Sequence, residues 1–341
     1  MIIENRKKDH IEICLNKDVQ FDKTLSGFEK YQFVHQALPE INFDEIDLSI
    51  NIFDKKLNAP IFVSSMTGGL EKARLINKNI AIACQNLGLA MALGSQRIML
   101  ENPQSVESFN VRKYAKDILL FGNIGAVQLN YGVGLKECLK IIEQIKADVL
   151  FLHLNPLQEA IQEEGDKNFS GLLKKIETLA KDLPYPIVIK ECGCGISEEL
   201  AIKLSKTKIA GIDVSGSSGT SWALIEGYRA KNNITLELGK TFKNWGIPTA
   251  ESLVYVKKHI KDKFIFSSGG IRSGIDIAKA IALGSNMVGI ALPLLESATI
   301  SSRAVEERLI QFIQELKITM FCIGVKNIDE LKNTKLINRI D

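Results

Sequence analysis

Short apolar runs rich in β-branched residues recur along the chain, and each ends in a glycine, a serine, an asparagine or a charged residue. Segments with helical periodicity follow most of these runs, for example at 70–87 and 273–283. A short run without polar alternation is typical of a strand buried on both faces of a parallel sheet, and parallel neighbours require such crossover helices. On this basis we predict eight strands: Pro60–Met66, Met91–Gln96, Leu119–Gly125, Val149–Asn155, Pro186–Cys192, Ile209–Gly216, Phe264–Gly270 and Met287–Pro293.

Eight consecutive βα units predict an α/β fold, a TIM (β/α)8 barrel with an N-terminal extension and C-terminal helices. We assign residues 1–341 to a single domain, in which 1–59 form the extension, 60–295 the barrel and 296–341 a helical segment. Apolar and polar residues alternate over Ile46–Phe53, which predicts a small hairpin strand that closes the bottom of the barrel. An outer helix is predicted from apolar residues at helical spacing: Val305, Leu309, Phe312, Ile313, Leu316 and Met320.

The charge and hydropathy of the chain exclude several classes of protein. A formal net charge of +3 over 341 residues is too small for a nucleic-acid surface, so we expect a small-molecule ligand. No apolar run approaches the roughly 20 residues that cross a bilayer, so we expect no membrane span. The N-terminal sequence MIIENRKKDHIEICL lacks the apolar core and cleavage site of a secretion signal, so we expect a cytoplasmic protein.

Cysteine usage favours a reducing compartment. The cysteines do not follow the spacing of a disulfide framework, so we predict free thiols. Cys192 and Cys194 form a C-x-C pair, but two sulfurs without further ligands nearby make a poor zinc site. The six cysteines are Cys14, Cys84, Cys138, Cys192, Cys194 and Cys322.

Paired glycines stand at the end of the seventh predicted strand, within SSGGIRSGID. Gly269 and Gly270 would let backbone amides approach an anion, and the start of the following helix would supply further N–H groups. TIM barrels commonly bind phosphates in the loops after strands seven and eight, so we predict a phosphate site here. Arg272 could add a charged contact, whereas Asp276 could equally be a solvated helix residue. The alternative is that the glycines form only a tight turn.

Polar residues also end the other predicted strands, and in a barrel these ends gather at one mouth. In HLNPLQE, the side chains of His153, Asn155, Gln158 and Glu159 follow a single strand. Lys190 lies within the apolar fifth strand, where an unpaired ammonium is costly, so we expect an anionic partner for it. The sequence therefore predicts a polar binding site at the carboxyl ends of the strands.

Taken in order, the motifs at these strand ends resemble those of one family. They are NRKKDH, SSMTGG, ALGSQR, GNIGA, HLNPLQE, IVIKECGCGIS, DVSGSSGTSW, GIPT and SSGGIRSGID, and they span nearly the whole chain. The chain resembles the FMN-dependent, type 2 isopentenyl-diphosphate delta-isomerases. The resemblance implies an enzyme of isoprenoid biosynthesis that shifts a double bond and converts isopentenyl diphosphate into dimethylallyl diphosphate. It further implies reduced FMN and Mg²⁺ as cofactors, NADPH as the priming reductant, and a homo-oligomer, either a tetramer or an octamer.

The resemblance also implies a role for each matching residue. Contact with the substrate is implied for Arg6, Lys7, Ser95, Gln96, Arg97 and Gln158. Contact with FMN is implied for Ser65, Met66, Thr67, Ser95, Asn123, Lys190, Ser215, Thr220, Gly269, Gly270, Arg272, Ala291 and Leu292. The flavin would thus be the anionic partner of Lys190. Glu159 would hold Mg²⁺, a hard cation that prefers oxygen ligands. The catalytic positions would be Gln158, His153 and Asn155.

Two features depart from the family pattern. Ser218 stands where the family is expected to have glycine, and Cys192 and Cys194 lie in a stretch that is usually rich in glycine and small apolar residues. Both departures bear on the geometry of the loops that would hold the phosphate.

Three other functions are compatible with a flavin-binding barrel. A 2-hydroxy-acid oxidase should carry a histidine beside an arginine near the seventh strand, but SSGGIR contains no histidine. An inosine-monophosphate dehydrogenase needs a nucleophilic cysteine after the sixth strand, and DVSGSSGTSW has none. A flavin-binding carrier or sensor without catalysis is the third alternative. The four histidines of the chain are His10, His35, His153 and His259.

Overall fold

Twelve strands are assigned in the computed structural model of the protein, which describes residues 2–334 and 337–339. In chain order they are β1 (Tyr31–Phe33), β2 (Ile50–Ile52), β3 (Lys55–Leu57), β4 (Ile61–Val63), β5 (Ala90–Ala92), β6 (Leu120–Gly125), β7 (Val149–Leu154), β8 (Ile187–Glu191), β9 (Gly211–Asp213), β10 (Phe264–Ser268), β11 (Met287–Ile290) and β12 (Ile337–Arg339). Strands β4 to β11 form a closed parallel barrel in chain order, and β11 pairs with β4. All eight predicted strands are therefore present, and the TIM barrel is confirmed.

Helices connect the barrel strands and surround them. In chain order they are α1 (Ile2–Asn16), α2 (Glu71–Leu87), α3 (Arg97–Glu101), α4 (Leu135–Ile145), α5 (Pro156–Ile161), α6 (Leu172–Asp182), α7 (Glu198–Ser205), α8 (Trp222–Arg229), α9 (Asn233–Thr241), α10 (Thr249–His259), α11 (Gly274–Ala282), α12 (Leu292–Ile300), α13 (Ser302–Cys322) and α14 (Ile328–Lys332). The predicted outer helix is α13, which packs on α2, α11 and α12. Five of its six predicted apolar positions are buried, and Ile313 is half-buried.

Large aromatic side chains fill the lower half of the barrel. The rings of Phe121 and Phe151 stack with centroids 4.5 Å apart, and Phe62 and Phe266 pack around them. All four rings are fully buried. This dry, aromatic floor leaves the polar residues at the carboxyl ends of the strands as the lining of a site above it.

The predicted hairpin closes the bottom of the barrel. Strands β2 and β3 pair antiparallel, and Phe53 at the turn between them packs its ring edge-on against Phe264, Phe121 and Phe266. The first strand of the hairpin is shorter than the predicted Ile46–Phe53 because the preceding backbone binds elsewhere: the Asp47 N–H donates to the Lys326 carbonyl.

The N-terminal extension begins with α1, a helix that the sequence reasoning did not predict. Its apolar residue Ile13 forms a small cluster with Val19 and Ile225, against which Trp222 and Leu292 pack. Because α8 and α12 follow the barrel strands β9 and β11, this packing holds α1 across the mouth of the barrel.

Two further expectations concern the chain as a whole. All six cysteines are free, as predicted. Of the helices in the described part of the chain, none combines the length and the apolarity that crossing a bilayer requires.

Candidate active site

The carboxyl ends of the eight barrel strands surround a cavity of about 220 Å³, and α1 forms part of its wall. TIM barrels carry their active sites at this end. The cavity is lined by every site residue predicted from the sequence except Gln96: Arg6, Lys7, Ser65, Met66, Thr67, Ser95, Arg97, Asn123, His153, Asn155, Gln158, Glu159, Lys190, Ser215, Thr220, Gly269, Gly270, Arg272, Ala291 and Leu292.

Gln96 lies behind the wall of the cavity. It is fully buried, and its Oε1 accepts a hydrogen bond of 2.7 Å from the Asn123 N–H, while its own N–H donates to the Asn123 carbonyl. The side chain therefore holds the strand that carries Asn123 and does not line the cavity.

The predicted phosphate loop, which follows β10, packs against the loop after β9 through the backbones of glycine residues. Gly269 and Gly270 have φ values of +96° and +73°, which disfavour any residue with a Cβ. A Cβ on Gly269 would lie 2.2 Å from the Gly216 carbonyl oxygen, and one on Gly219 would lie 2.7 Å from the Gly270 nitrogen. The loops after β9 and β10 thus meet backbone to backbone beside the cavity, as a cradle for an anion requires.

Helix α11 begins directly after this loop with a capping box. Ser273 Oγ accepts from the Asp276 N–H, and Asp276 Oδ2 accepts from the N–H groups of Ser273 and Arg272 at 3.0 Å each. Asp276 is therefore part of the helix cap, and the alternative that it is only a solvated helix residue is wrong. The Arg272 guanidinium lines the cavity but is also bonded to Gln20 Oε1 at 2.8 Å.

An FMN phosphate fits this cradle. The helix start and the glycine backbones supply oriented N–H groups without side chains in the way. Ser218 lies against Gly270, and its buried Oγ has no hydrogen-bond partner among the residues that the structure describes. Ser218 also has a φ of +101°, so it occupies a backbone conformation suited to the glycine expected in the family.

Lys190 has an anionic partner within the protein. Its Nζ donates to Asp213 Oδ2 at 2.8 Å and to Ser268 Oγ at 3.1 Å, and Ser268 Oγ in turn donates to Asp213. Asp213 is fully buried on the neighbouring strand, directly opposite Lys190 in register. Lys190 thus has an anionic partner before any ligand binds, and it also lines the cavity, so its contact with the flavin stays a prediction.

His153 is held in one tautomer by a chain of hydrogen bonds. Asn123 donates its amide to Ser65 Oγ at 2.7 Å, so its Oδ1 accepts from the His153 ring at Nδ1, also at 2.7 Å. Burial, with the nearby charges of Lys190 and Arg6, lowers the pKa of His153 to about 4. The ring is therefore neutral near pH 7 with its proton on Nδ1, and within the described residues its Nε2 accepts no hydrogen bond.

Oxygen atoms suited to a hard cation gather at the start of α5. Glu159 is buried, burial raises its pKa, and Asn155 Nδ2 donates to its Oε1 at 2.9 Å. Asn155 Oδ1 is buried without a hydrogen-bond partner among the described residues. No group of three or more His, Cys, Asp or Glu side chains in that part of the chain is arranged to hold a metal. A Mg²⁺ ion fits beside Glu159 only if the ligand supplies most of its oxygen atoms.

A buried carboxylate that the sequence reasoning missed orients Gln158. Glu226 on α8 accepts from Gln158 Nε2 at 2.8 Å, pairs with His10 at 2.9 Å, and accepts from Arg229 Nε at 2.7 Å. Although burial raises the pKa of Glu226, its contacts with His10 and Gln158 lower that pKa to about 2. The available signal was a single acid in the apolar helix WALIEGYR, since a buried charge requires partners.

Three cationic side chains face the cavity on the side of β5 to β7. Lys7 Nζ donates to the Ser95 carbonyl at 2.8 Å and lies 5.1 Å from the centre of the Phe109 ring. Burial and the neighbouring Arg6 lower the pKa of Lys7 to about 7. Arg97 follows β5 and pairs with Asp166 and Glu101. A bound anion beside Arg6 and Lys7 would offset the burial and the repulsion that lower the pKa of Lys7, so this part of the cavity favours an anionic ligand.

Comparisons with known proteins agree with this geometry. A family model of FMN-dependent dehydrogenases matches residues 128–338. The solved structures that share the fold include a flavocytochrome b2 with sulfite bound, at a TM-score of 0.68 and 19% identity over 96% of this chain and 82% of that one. A mandelate oxidase with 2-hydroxy-phenylacetamide gives a TM-score of 0.63 and 16% identity over 98% and 93%. The fold and the glycine cradle thus define a barrel enzyme of the FMN-dependent class.

The sequence relatives narrow this class. Proteins named isopentenyl-diphosphate delta-isomerase are 50% identical in a Nostoc species, over 99% of this chain and 96% of that protein, and 48% identical in Rickettsia bellii, over 98% of both. A third, from Rickettsia prowazekii, is 47% identical over 97% of both chains. The chain belongs to the type 2 isopentenyl-diphosphate delta-isomerase family and is an isomerase.

Proposed function

We propose that the protein converts isopentenyl diphosphate into dimethylallyl diphosphate by a 1,3-allylic shift of the double bond, with reduced FMN and Mg²⁺. The proposal rests on the arrangement of the cavity, in which the glycine cradle and the cationic side chains lie on different sides. In the barrel order, the glycine cradle after β10 lies opposite β6. The cationic side chains and Glu159 lie on the other side of the cavity: Arg97 follows β5, Glu159 follows β7, and α1 carries the remaining two cations. The cavity can therefore hold a phosphate at each side and an apolar group between them.

The cationic side would bind the substrate diphosphate. Arg6, Lys7 and Arg97 present the guanidinium and ammonium groups that suit phosphate oxygens. Glu159 would hold Mg²⁺ against the same oxygens, together with Asn155 Oδ1, which has no hydrogen-bond partner in the described part of the chain. These residues would fix the position of the substrate before any bond changes.

The reacting carbons would then lie among uncharged groups. Neutral His153, Asn155 and Gln158 line this part of the cavity, and the contact of Gln158 with Glu226 sets the orientation of its amide. When bound, reduced FMN supplies the acid–base chemistry at the alkene, with no net redox change. The chain's own residues exclude water and orient the alkene.

Further parts of the assignment stay predictions. NADPH would reduce the flavin before turnover, and the protein would act in the cytoplasm as a homo-oligomer, a tetramer or an octamer. Each follows from the resemblance or from the composition of the chain.

The decisive experiment is anaerobic incubation of the FMN-loaded, reduced protein with isopentenyl diphosphate and Mg²⁺, followed by NMR detection of dimethylallyl diphosphate. We expect Lys7→Met to raise the KM for isopentenyl diphosphate by about tenfold or more, because a charge-assisted contact is lost. Lys8→Met is the matched control, since Lys8 is the exposed neighbour on the same helix. Oxygen consumption with 2-hydroxy acids and no allylic product would overturn the proposal in favour of an oxidase.

A further inference from the structure

One loop connects the cationic side of the cavity to Glu159. Asp166, between α5 and α6, accepts hydrogen bonds at its Oδ2 from the Arg97 guanidinium and, at 2.9 Å, from Gln128 Nε2. Its backbone N–H donates to Glu159 Oε2 at 2.7 Å. Arg97, Gln128 and Glu159 follow β5, β6 and β7, so a single residue contacts the ends of three successive strands.

The backbone of this loop is fixed in place. A Cβ on Gly165 would lie 2.0 Å from the Glu159 carbonyl oxygen, so only glycine allows the loop to approach α5 this closely. On the other side, Asn130 Nδ2 donates to the carbonyls of Asn168 and Ser170. The position of the Asp166 N–H is therefore set by packing on both sides of the loop.

We propose that Asp166 is a positioning residue that sets the spacing between the Arg97 guanidinium and the Glu159 carboxylate. Its carboxylate orients Arg97, and its N–H orients Glu159, so that both can contact one Mg²⁺-bound diphosphate. The inference rests on the proposed function for the identity of that ligand. Neither Asp166 nor Gly165 lines the cavity, so neither needs to touch the ligand itself.

Net charge and orientation predict opposite effects of a substitution of Asp166 on the binding of an anion. Removing a negative charge next to Arg97 should strengthen the binding of an anion if only the net charge matters. If orientation matters, the exchange of a charged acceptor for a weaker, uncharged one should hold Arg97 less firmly and weaken binding. Asp166→Asn therefore distinguishes the two by the sign of its effect.

The test measures the binding of inorganic pyrophosphate with Mg²⁺ to the FMN-loaded protein by calorimetry. We expect Asp166→Asn to raise the Kd for pyrophosphate by about tenfold, the usual effect of losing an outer partner of a binding group, with the Kd for FMN unchanged. Glu101→Gln is the matched control: it neutralises a half-exposed carboxylate that also pairs with Arg97 and should change the Kd by less than about twofold. Unchanged or tighter pyrophosphate binding by Asp166→Asn would overturn the proposal.

A second variant tests the contact with Glu159 separately. Gly165→Ala should displace the Asp166 N–H and raise the Mg²⁺ concentration for half-maximal pyrophosphate binding by about tenfold. An unchanged Mg²⁺ dependence would contradict this part of the proposal. Because pyrophosphate binding does not require turnover, a wild-type protein that binds it without isomerising isopentenyl diphosphate would refute the proposed function alone.

Discussion

The contact between Gly270 and Ser218 allows a double-mutant test of the glycine cradle. A Cβ on Gly270 would lie 1.9 Å from Ser218 Oγ and 3.1 Å from its Cβ, whereas the nearest backbone atom of Ser218 is 3.3 Å away. The obstruction to Gly270→Ala is therefore mainly a side chain that can be removed. Gly269→Ala is the matched control, because its new Cβ would meet the Gly216 carbonyl oxygen at 2.2 Å, and no side-chain truncation removes that atom.

The expected free energies follow from these contacts. Gly270→Ala places a Cβ in the left-handed region, at a cost of about 1–2 kcal/mol, and the forced overlap with Ser218 adds about 1–3 kcal/mol. Ser218→Gly should stabilise the protein by about 1 kcal/mol, since it relieves a φ of +101° and removes a buried hydroxyl without a partner. In the double variant the overlap is absent, and Gly270→Ala costs only the free energy of placing an alanine in the left-handed region. The coupling energy between the two sites should therefore equal the cost of the overlap, about 1–3 kcal/mol.

The assay is urea unfolding of the apoprotein, combined with titration of FMN followed by flavin fluorescence. We expect Gly270→Ala to weaken FMN binding by at least about tenfold, since displaced amides no longer converge on the phosphate, and Ser218→Gly to restore most of the loss. Gly269→Ala should be as damaging and should not be restored. Equal rescue of both variants by Ser218→Gly, or rescue of neither, would refute this reasoning.

Two further predictions concern buried charges. Asp213→Ala should reduce the free energy of unfolding by about 3–5 kcal/mol, because it leaves the Lys190 ammonium buried without an anion. Adding Lys190→Met to the same chain should recover much of this loss. A cost of Asp213→Ala below about 1 kcal/mol in urea unfolding would contradict the prediction. For His153, the unfolded chain gains a proton near pH 6.5 and the folded chain only near the lowered pKa of about 4. Stability should therefore fall by about 3 kcal/mol as the pH falls from 6.5 to 4, and His153→Gln should remove that part of the pH dependence. An imidazole of His153 that titrates near pH 6.5 by NMR would contradict the second prediction.

The barrel was predictable because its strands are buried on both faces. Each strand then appears as an apolar run, and the requirement for crossovers between parallel neighbours sets the order of the elements. The site residues on strand ends followed from the same logic, since the barrel brings all carboxyl ends to one mouth. The ends of β7 and β10 illustrate this, because His153 and Gly269 lie in the predicted cavity.

The contacts that organise the site were not predictable, because they join residues far apart in the sequence. Asp166 contacts Arg97 and Glu226 contacts His10 only because the barrel closes and α1 folds over it. The partner of Lys190 depends on the register between β8 and β9, which places Asp213 directly opposite. Helix α1 was missed because its charged residues interrupt the apolar pattern, and its few apolar side chains are buried only by the barrel mouth.

The distribution of charge in the cavity explains why these unpredicted partners matter for the proposed reaction. Protonation of an alkene creates positive charge on carbon, so an uncompensated cation nearby would oppose it. Asp213 neutralises Lys190 within the protein, and burial keeps the His153 ring uncharged, so the middle of the cavity carries no net positive charge. Arg6 and Lys7 on α1 line the side of the cavity where we propose that the diphosphate binds, and a bound anion would raise the lowered pKa of Lys7. The same fold can therefore attract an anion at one side without opposing a developing cation in its centre, and this separation depends on buried pairs that lie behind the lining residues.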